Sequence, residues 1–126
     1  MSVRYGLIGA GMMGIEHIKN LALLQGADLV AVADPAEASL ASAREALGDR
    51  GANVTMFADG AALARSGLVD AVIVATPNFT HRTTLEPVFD AHLHILCEKP
   101  LATTVEDARW IAERAAGYDK VVWTAM

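Results

Sequence analysis

The sequence predicts a doubly wound α/β domain, a Rossmann-type parallel sheet of about six strands with helices on both faces. Three observations carry this. Apolar, β-rich runs alternate with helical stretches along the whole chain. The runs are almost continuously apolar, "DAVIVAT" at 70–76 above all, as strands buried on both faces are. The first run leads straight into Gly9, Gly11 and Gly14, where a helical pattern begins.

The elements follow in order. "VRYGLIG" at 3–9 is the first strand, and 12–25 a helix with Ile15, Ile18 and Ala22 on its inward face. "DLVAVAD" at 28–34 is the second strand, and 36–47 a helix rich in Ala, Glu and Leu that stops at Gly48. "VTMF" at 54–57 is a weaker third strand, followed by a short helix near 60–66. The fourth strand spans 70–76, a helix covers about 80–91, and "HILCE" at 94–98 is the fifth strand. Residues 104–116 form a helix with Val105, Ala108, Ile111, Ala112 and Ala115 inward, and "KVVWTAM" at 120–126 is the sixth strand. Residues 1–126 thus read as one nucleotide-binding domain, with nothing left over for a second.

Composition sets limits. Of the 126 residues, 53% are hydrophobic, enough for a substantial core. A net charge of −5 argues against nucleic acid and anionic membrane as partners. No apolar run approaches the roughly 20 residues of a membrane span or has the form of a signal peptide. Cys97 is the single cysteine, so no internal disulfide is possible. A reducing, cytoplasmic location fits best.

Gly9, Gly11 and Gly14 fit G-x-G-x-x-G between a strand and a helix. Gly9 makes the tight turn, Gly11 lets the backbone approach a pyrophosphate, and Gly14 lets the helix pack closely. The helix N-terminus supplies amides and a positive dipole end for the phosphates. Met12 and Met13 place apolar bulk beside them. Asp34 ends the second strand, 20 residues after Gly14, where a carboxylate bonds the adenine-side ribose. It also stands as a helix N-cap, with Pro35 at the first helical position and Glu37 as capping-box partner; a carboxylate has lone pairs for both roles. A carboxylate there repels a 2′-phosphate and no Arg or Lys follows closely, so NAD is favoured over NADP.

Two further stretches end strands: "ATPNFTH" at 75–81 and "CEKPLA" at 97–102. Thr80 is a candidate helix cap and Asn78 a candidate Asx turn. His17 packs or bonds locally. His92 and His94 have no third ligand at metal spacing, so no metal site is expected. Cys97 is a small core residue rather than a nucleophile. Trp110 and Trp123 are core or interface residues.

In the order "GAGMMG", "ADP", "ATPN..H" and "EKP", the whole chain resembles the N-terminal domain of the glucose–fructose oxidoreductase, inositol dehydrogenase and MocA-like (Gfo/Idh/MocA) family. The resemblance implies an NAD-dependent dehydrogenase passing a hydride between nicotinamide and a secondary alcohol of a sugar, polyol or related substrate. It implies that Lys99 lies at the nicotinamide and the substrate, as catalytic residue, with Glu98 and Pro100 beside it at the cofactor. It implies that Thr76, Pro77 and Asn78 line the cofactor channel and that His81 lies close to it. It also implies a cis Lys99–Pro100 bond. The alternative class is a non-catalytic dinucleotide-binding or sensing module; a third is a Rossmann-like interaction domain without nucleotide.

Two departures are local. His92 stands where relatives have a helix-ending Gly, so a positive φ is expected there. Pro87 falls inside the preceding helix and is expected to bend or shorten it. A third concerns length: such proteins add a C-terminal substrate and oligomerisation domain that these 126 residues do not include. The 126 residues alone are therefore expected to bind NAD without turnover.

Overall fold

A computed structural model describes residues 2–125. Its strands are β1 (Val3–Ile8), β2 (Ala27–Ala33), β3 (Thr55–Phe57), β4 (Ala71–Val74), β5 (His94–Cys97) and β6 (Val122–Thr124). They form one parallel sheet in the order β3-β2-β1-β4-β5-β6. The helices are α1 (Met12–Leu21), α2 (Glu37–Leu47), α3 (Gly60–Ala64), α4 (His81–Asp90) and α5 (Val105–Ala116). Strand order reverses between β1 and β4, the place where open α/β sheets bind ligands beyond their carboxyl ends.

Alternating side chains split the core. Leu7, Val32 and Ile73 pack with Ile18 and Leu21 of α1 and Leu40, Ala43 and Leu47 of α2. Ile8, Ala31, Ala33, Val72 and Val74 pack with Leu63 of α3, Leu85, Val88 and Phe89 of α4 and Ile111 of α5. Each strand therefore needs apolar residues at successive positions, the origin of the continuous apolar runs. On the α1 side the sheet is open over β5 and β6, and Trp123 is exposed there. Trp110 is half-buried, with its ring centroid 6.1 Å from that of Phe89, edge to face.

The structure departs from expectation at helix ends. α1 stops at Leu21, where its apolar stripe ends; Ala22, Leu23 and Leu24 are exposed, and Gly26 reverses the chain at φ 80°. The inward face is Gly14, Ile18 and Leu21 rather than one including Ala22. In α5, Val105 in the first turn and Ala112 are exposed, because the face aimed at the core centres on Ile111. α4 runs through Pro87 to Asp90. His92 follows at φ 61°, and the Lys99–Pro100 bond is cis, both as expected. The sixth-strand expectation reached Met126, which lies outside the described residues.

Candidate functional site

The glycine turn joins β1 to α1 at the switch point. Gly9 has φ +101°, and a Cβ there would stand 2.6 Å from the Ala75 carbonyl carbon and oxygen. The turn therefore lies directly against the chain leaving β4. Gly11 is different: a Cβ would meet nothing within 4 Å, so its missing side chain leaves open room at the crevice. Gly11 is also the N-cap of α1, with no side-chain cap and no acidic residue in the first turn. No side chain of α1 itself caps its orphan amides there. By contrast, Thr104 caps α5 at 3.1 Å, with Glu106 and Asp107 in its first turn.

Asp34 reaches this turn. Its Oδ2 accepts from the Ala10 amide at 2.9 Å and its Oδ1 from the Ala36 amide at 2.8 Å. The second bond is an Asx turn. The capping-box expectation fails here: α2 begins at Glu37 with Ala36 as N-cap, and Glu37 pairs with Arg44 at 2.9 Å instead. Asp34 fastens the end of β2 to the glycine turn, with lone pairs to spare.

The loop after β4 carries Thr76, half-buried, and Pro77, Asn78 and Phe79, all exposed. Thr80 stands at the N-cap of α4 but makes no side-chain capping bond; its hydroxyl donates to the Pro77 carbonyl at 2.6 Å and lies 2.9 Å from Thr76 Oγ1. A cavity of about 320 Å³ opens between this loop, Pro35 and the Ala58–Ala61 turn, walled by Thr76, Thr80 and Thr83. The sequence reading missed Asp59, Thr83 and Thr84 of this wall, because no single motif joins the ends of β2, β3 and β4. Met12, Met13 and Phe79 are exposed apolar side chains at the same edge of the sheet.

His81 is 1% exposed. Its Nδ1 lies 3.1 Å from the Leu101 carbonyl oxygen and its Nε2 3.2 Å from that of Thr76. The imidazole thus lies beneath the crevice, occupied by backbone of two site loops. Lys99 and Pro100 are exposed beyond β5. Glu98 pairs not with its neighbour Lys99 but with His17, Nε2 to Oε2 at 2.6 Å. That corrects the local role read for His17; the partners are 81 residues apart, and no spacing rule announces them.

The other candidates have structural partners. His92 Nε2 is 2.6 Å from Asp119, and His94 Nδ1 accepts from the Val121 amide at 3.0 Å. Burial, with Glu98 nearby, pushes the Cys97 thiol up to about 12. Among the described residues no helix is long and apolar enough to cross a membrane.

Comparison with known proteins agrees with this geometry. The chain is 38% identical over 118 residues to inositol 2-dehydrogenase 1 of Saccharopolyspora erythraea, covering 92% of this chain and 34% of that protein. It is 37% identical over 115 residues to the rhizopine catabolism protein MocA of Rhizobium meliloti, covering 91% and 34%. The chain therefore spans about a third of the length of the curated relatives it matches. The crystal structure of myo-inositol dehydrogenase from Lactobacillus casei in complex with NAD(H) and myo-inositol superposes with a TM-score of 0.88 at 35% identity. That match covers 99% of this chain and 37% of that one. The family model described as the oxidoreductase family, NAD-binding Rossmann fold, matches residues 3–126, and the chain belongs to that Gfo/Idh/MocA family.

Proposed function

We propose that this chain binds NAD across the carboxyl edge of its sheet and serves an oxidoreductase acting on a secondary alcohol of a polyol such as inositol. The observation that carries the reading is that three features stand along one carboxyl edge of the sheet, at the ends of β1, β2 and β5. These are an open, uncapped helix N-terminus at Gly11, the Asp34 carboxylate beside it, and Lys99 exposed beyond β5.

The room at Gly11 and the free amides of Met12 and Met13 fit a pyrophosphate. Asp34, anchored by Ala10 and Ala36, accepts from ribose hydroxyls with its remaining lone pairs and repels a 2′-phosphate. The cavity between Pro35, Asp59 and Thr80 fits the adenine. Thr76, Pro77 and Asn78 flank the cofactor's path toward Lys99. Exposed Met12, Met13 and Phe79 gain cover from bound ligand.

Bound nicotinamide supplies the hydride acceptor and donor. The chain supplies position and charge. The Lys99 ammonium would donate to the substrate hydroxyl oxygen and stabilise the negative charge that grows there as a base, solvent water or a group beyond these 126 residues, takes the hydroxyl proton. Glu98 and Pro100 flank that lysine, and His81 lies between the turn and the loop after β4, its Nδ1 at the Leu101 carbonyl and its Nε2 at that of Thr76.

Titration calorimetry of the 126-residue chain with NAD and NADP tests the reading. Saturable binding with preference for NAD is expected. No binding of either nucleotide refutes it.

A further inference from the structure

The turn that carries Lys99 is held from two sides by histidines. On one side His17 Nε2 lies 2.6 Å from Glu98 Oε2, and the two side chains are only 16% and 13% exposed. On the other, His81 Nδ1 lies 3.1 Å from the carbonyl oxygen of Leu101, just past Pro100. A largely buried carboxylate is costly to leave without a donor, so the imidazole fixes where Glu98 points. The consequence falls on Lys99. A released Glu98 carboxylate, one residue away, is an available anion for its ammonium. With Glu98 taken by His17, Lys99 joins no ion pair among the described residues.

His17 also stands on α1, three residues after Gly14 and on the same side of the helix. The bond to Glu98 therefore links the helix that opens at the glycine turn to the turn that bears Lys99. We infer that His17 is a positioning residue: by holding the Glu98 carboxylate it anchors the Lys99 turn to α1 and keeps that carboxylate off the Lys99 ammonium. Its effect on ligand rests on the NAD reading above; its effect on the turn does not.

Two measurements on the 126-residue chain separate those parts. The first is amide hydrogen exchange without nucleotide, on wild type, His17→Ala, His17→Gln and Glu98→Gln. The Glu98 amide, which donates to the Val74 carbonyl at 2.9 Å, exchanges about tenfold faster in His17→Ala, as expected for loss of one bond to the Glu98 carboxylate. Amides in β1, β4 and α5 keep their rates. The Gln variant, which restores an N–H donor, lies closer to wild type. The second measurement is affinity for NAD against ADP-ribose, which lacks the nicotinamide. His17→Ala loses NAD affinity about tenfold, with ADP-ribose nearly unchanged. Unchanged exchange at the Glu98 amide overturns the inference, whether or not NAD binds. Faster exchange with equal loss of both ligands, or with no loss of either, overturns the positioning role. A wild type that binds no NAD, yet shows the exchange change in His17→Ala, refutes the functional reading and leaves the anchor standing.

Discussion

Gly14 packs so closely on Gly9 that a Cβ on Gly14 would stand 2.1 Å from the Gly9 carbonyl oxygen. The three glycines of the turn therefore do different work. Gly9 and Gly14 are required by the fold itself, whereas Gly11 faces open space. Substitution should separate them. Gly14→Ala and Gly9→Ala force backbone apart, and Gly9 adds a disfavoured φ; each costs about 3 kcal/mol or more. Gly11→Ala has an extended backbone that alanine adopts, and it changes stability by about 1 kcal/mol or less. Its loss is in NAD affinity, because a methyl group enters the space the pyrophosphate would take. Chemical denaturation and calorimetry together check this. A Gly11→Ala protein that binds NAD like wild type refutes the phosphate assignment.

Asp34 governs the choice of dinucleotide in the proposed site. Its oxygens hold the Ala10 and Ala36 amides, and on the NAD reading its carboxylate faces the ribose. Asp34→Asn removes the charge, and one of those amides then faces an NH₂ group. The ratio of NAD to NADP affinity should fall about tenfold, chiefly through weaker NAD binding and loss of repulsion toward the 2′-phosphate. Stability should fall modestly as well. An unchanged ratio removes Asp34 from the specificity argument.

Arg4 and Asp70 join the starts of β1 and β4. Arg4 donates from Nη2 to Oδ1 at 2.8 Å, from Nε to Oδ2 at 3.2 Å and from its own amide to Oδ2 at 2.9 Å. These bonds, side chain first, lower the Asp70 carboxyl to about 2. A folded pKa below the unfolded one means stability that is complete above about pH 4 and is lost as pH falls toward 2. Both side chains are 40% or more exposed, so solvent and salt screen the pair and its contribution is modest. The difference in Tm between wild type and Asp70→Asn should hold from pH 7 to 5 and shrink between pH 4 and 2. A constant difference across that range refutes the linkage.

Local chemistry made much of this fold legible in the sequence. Two-sided burial writes strands as continuous apolar runs, so all six were readable, and the strand–glycine–helix junction marked the switch point. The unusual φ of His92 was readable only through the resemblance, since relatives have a helix-ending glycine at that position. What depends on distant partners was not. His17 reads as an ordinary helix residue until the sheet brings Glu98 to it. His81, which the resemblance implies lies close to the cofactor, owes its burial to the Thr76 and Leu101 carbonyls on either side of its ring, partners that no local pattern announces. Asp34 followed by Pro35 has the form of a helix start, but bonds to Ala10 and Ala36 place that start later, at Glu37. The end of α1 was overrun because Leu23 and Leu24 continue the apolar composition while lying exposed past the last buried turn.

Cys97 offers a measure of nucleotide binding that needs no turnover. It is the single cysteine, fully buried at the end of β5, with its thiol pushed up to about 12 by burial. The folded chain therefore presents almost no thiolate at pH 8, and no path for a bulky disulfide reagent. Labelling proceeds through an opened state in which the thiol is ordinary, at about 8.5. Its rate reports the population of that state when reclosing outpaces reaction. A ligand that binds only the folded chain at 100 times its dissociation constant adds about 2.7 kcal/mol of stability. That is roughly a hundredfold fall in the opened population, and labelling should slow by the same factor. NADP at the same concentration should slow it far less, because Asp34 disfavours the 2′-phosphate. Full denaturation should abolish the difference between the nucleotides. Rapid labelling without denaturant would mean that β5 opens locally and would remove the burial argument. Slow labelling that NAD leaves unchanged would instead show that NAD does not stabilise this fold.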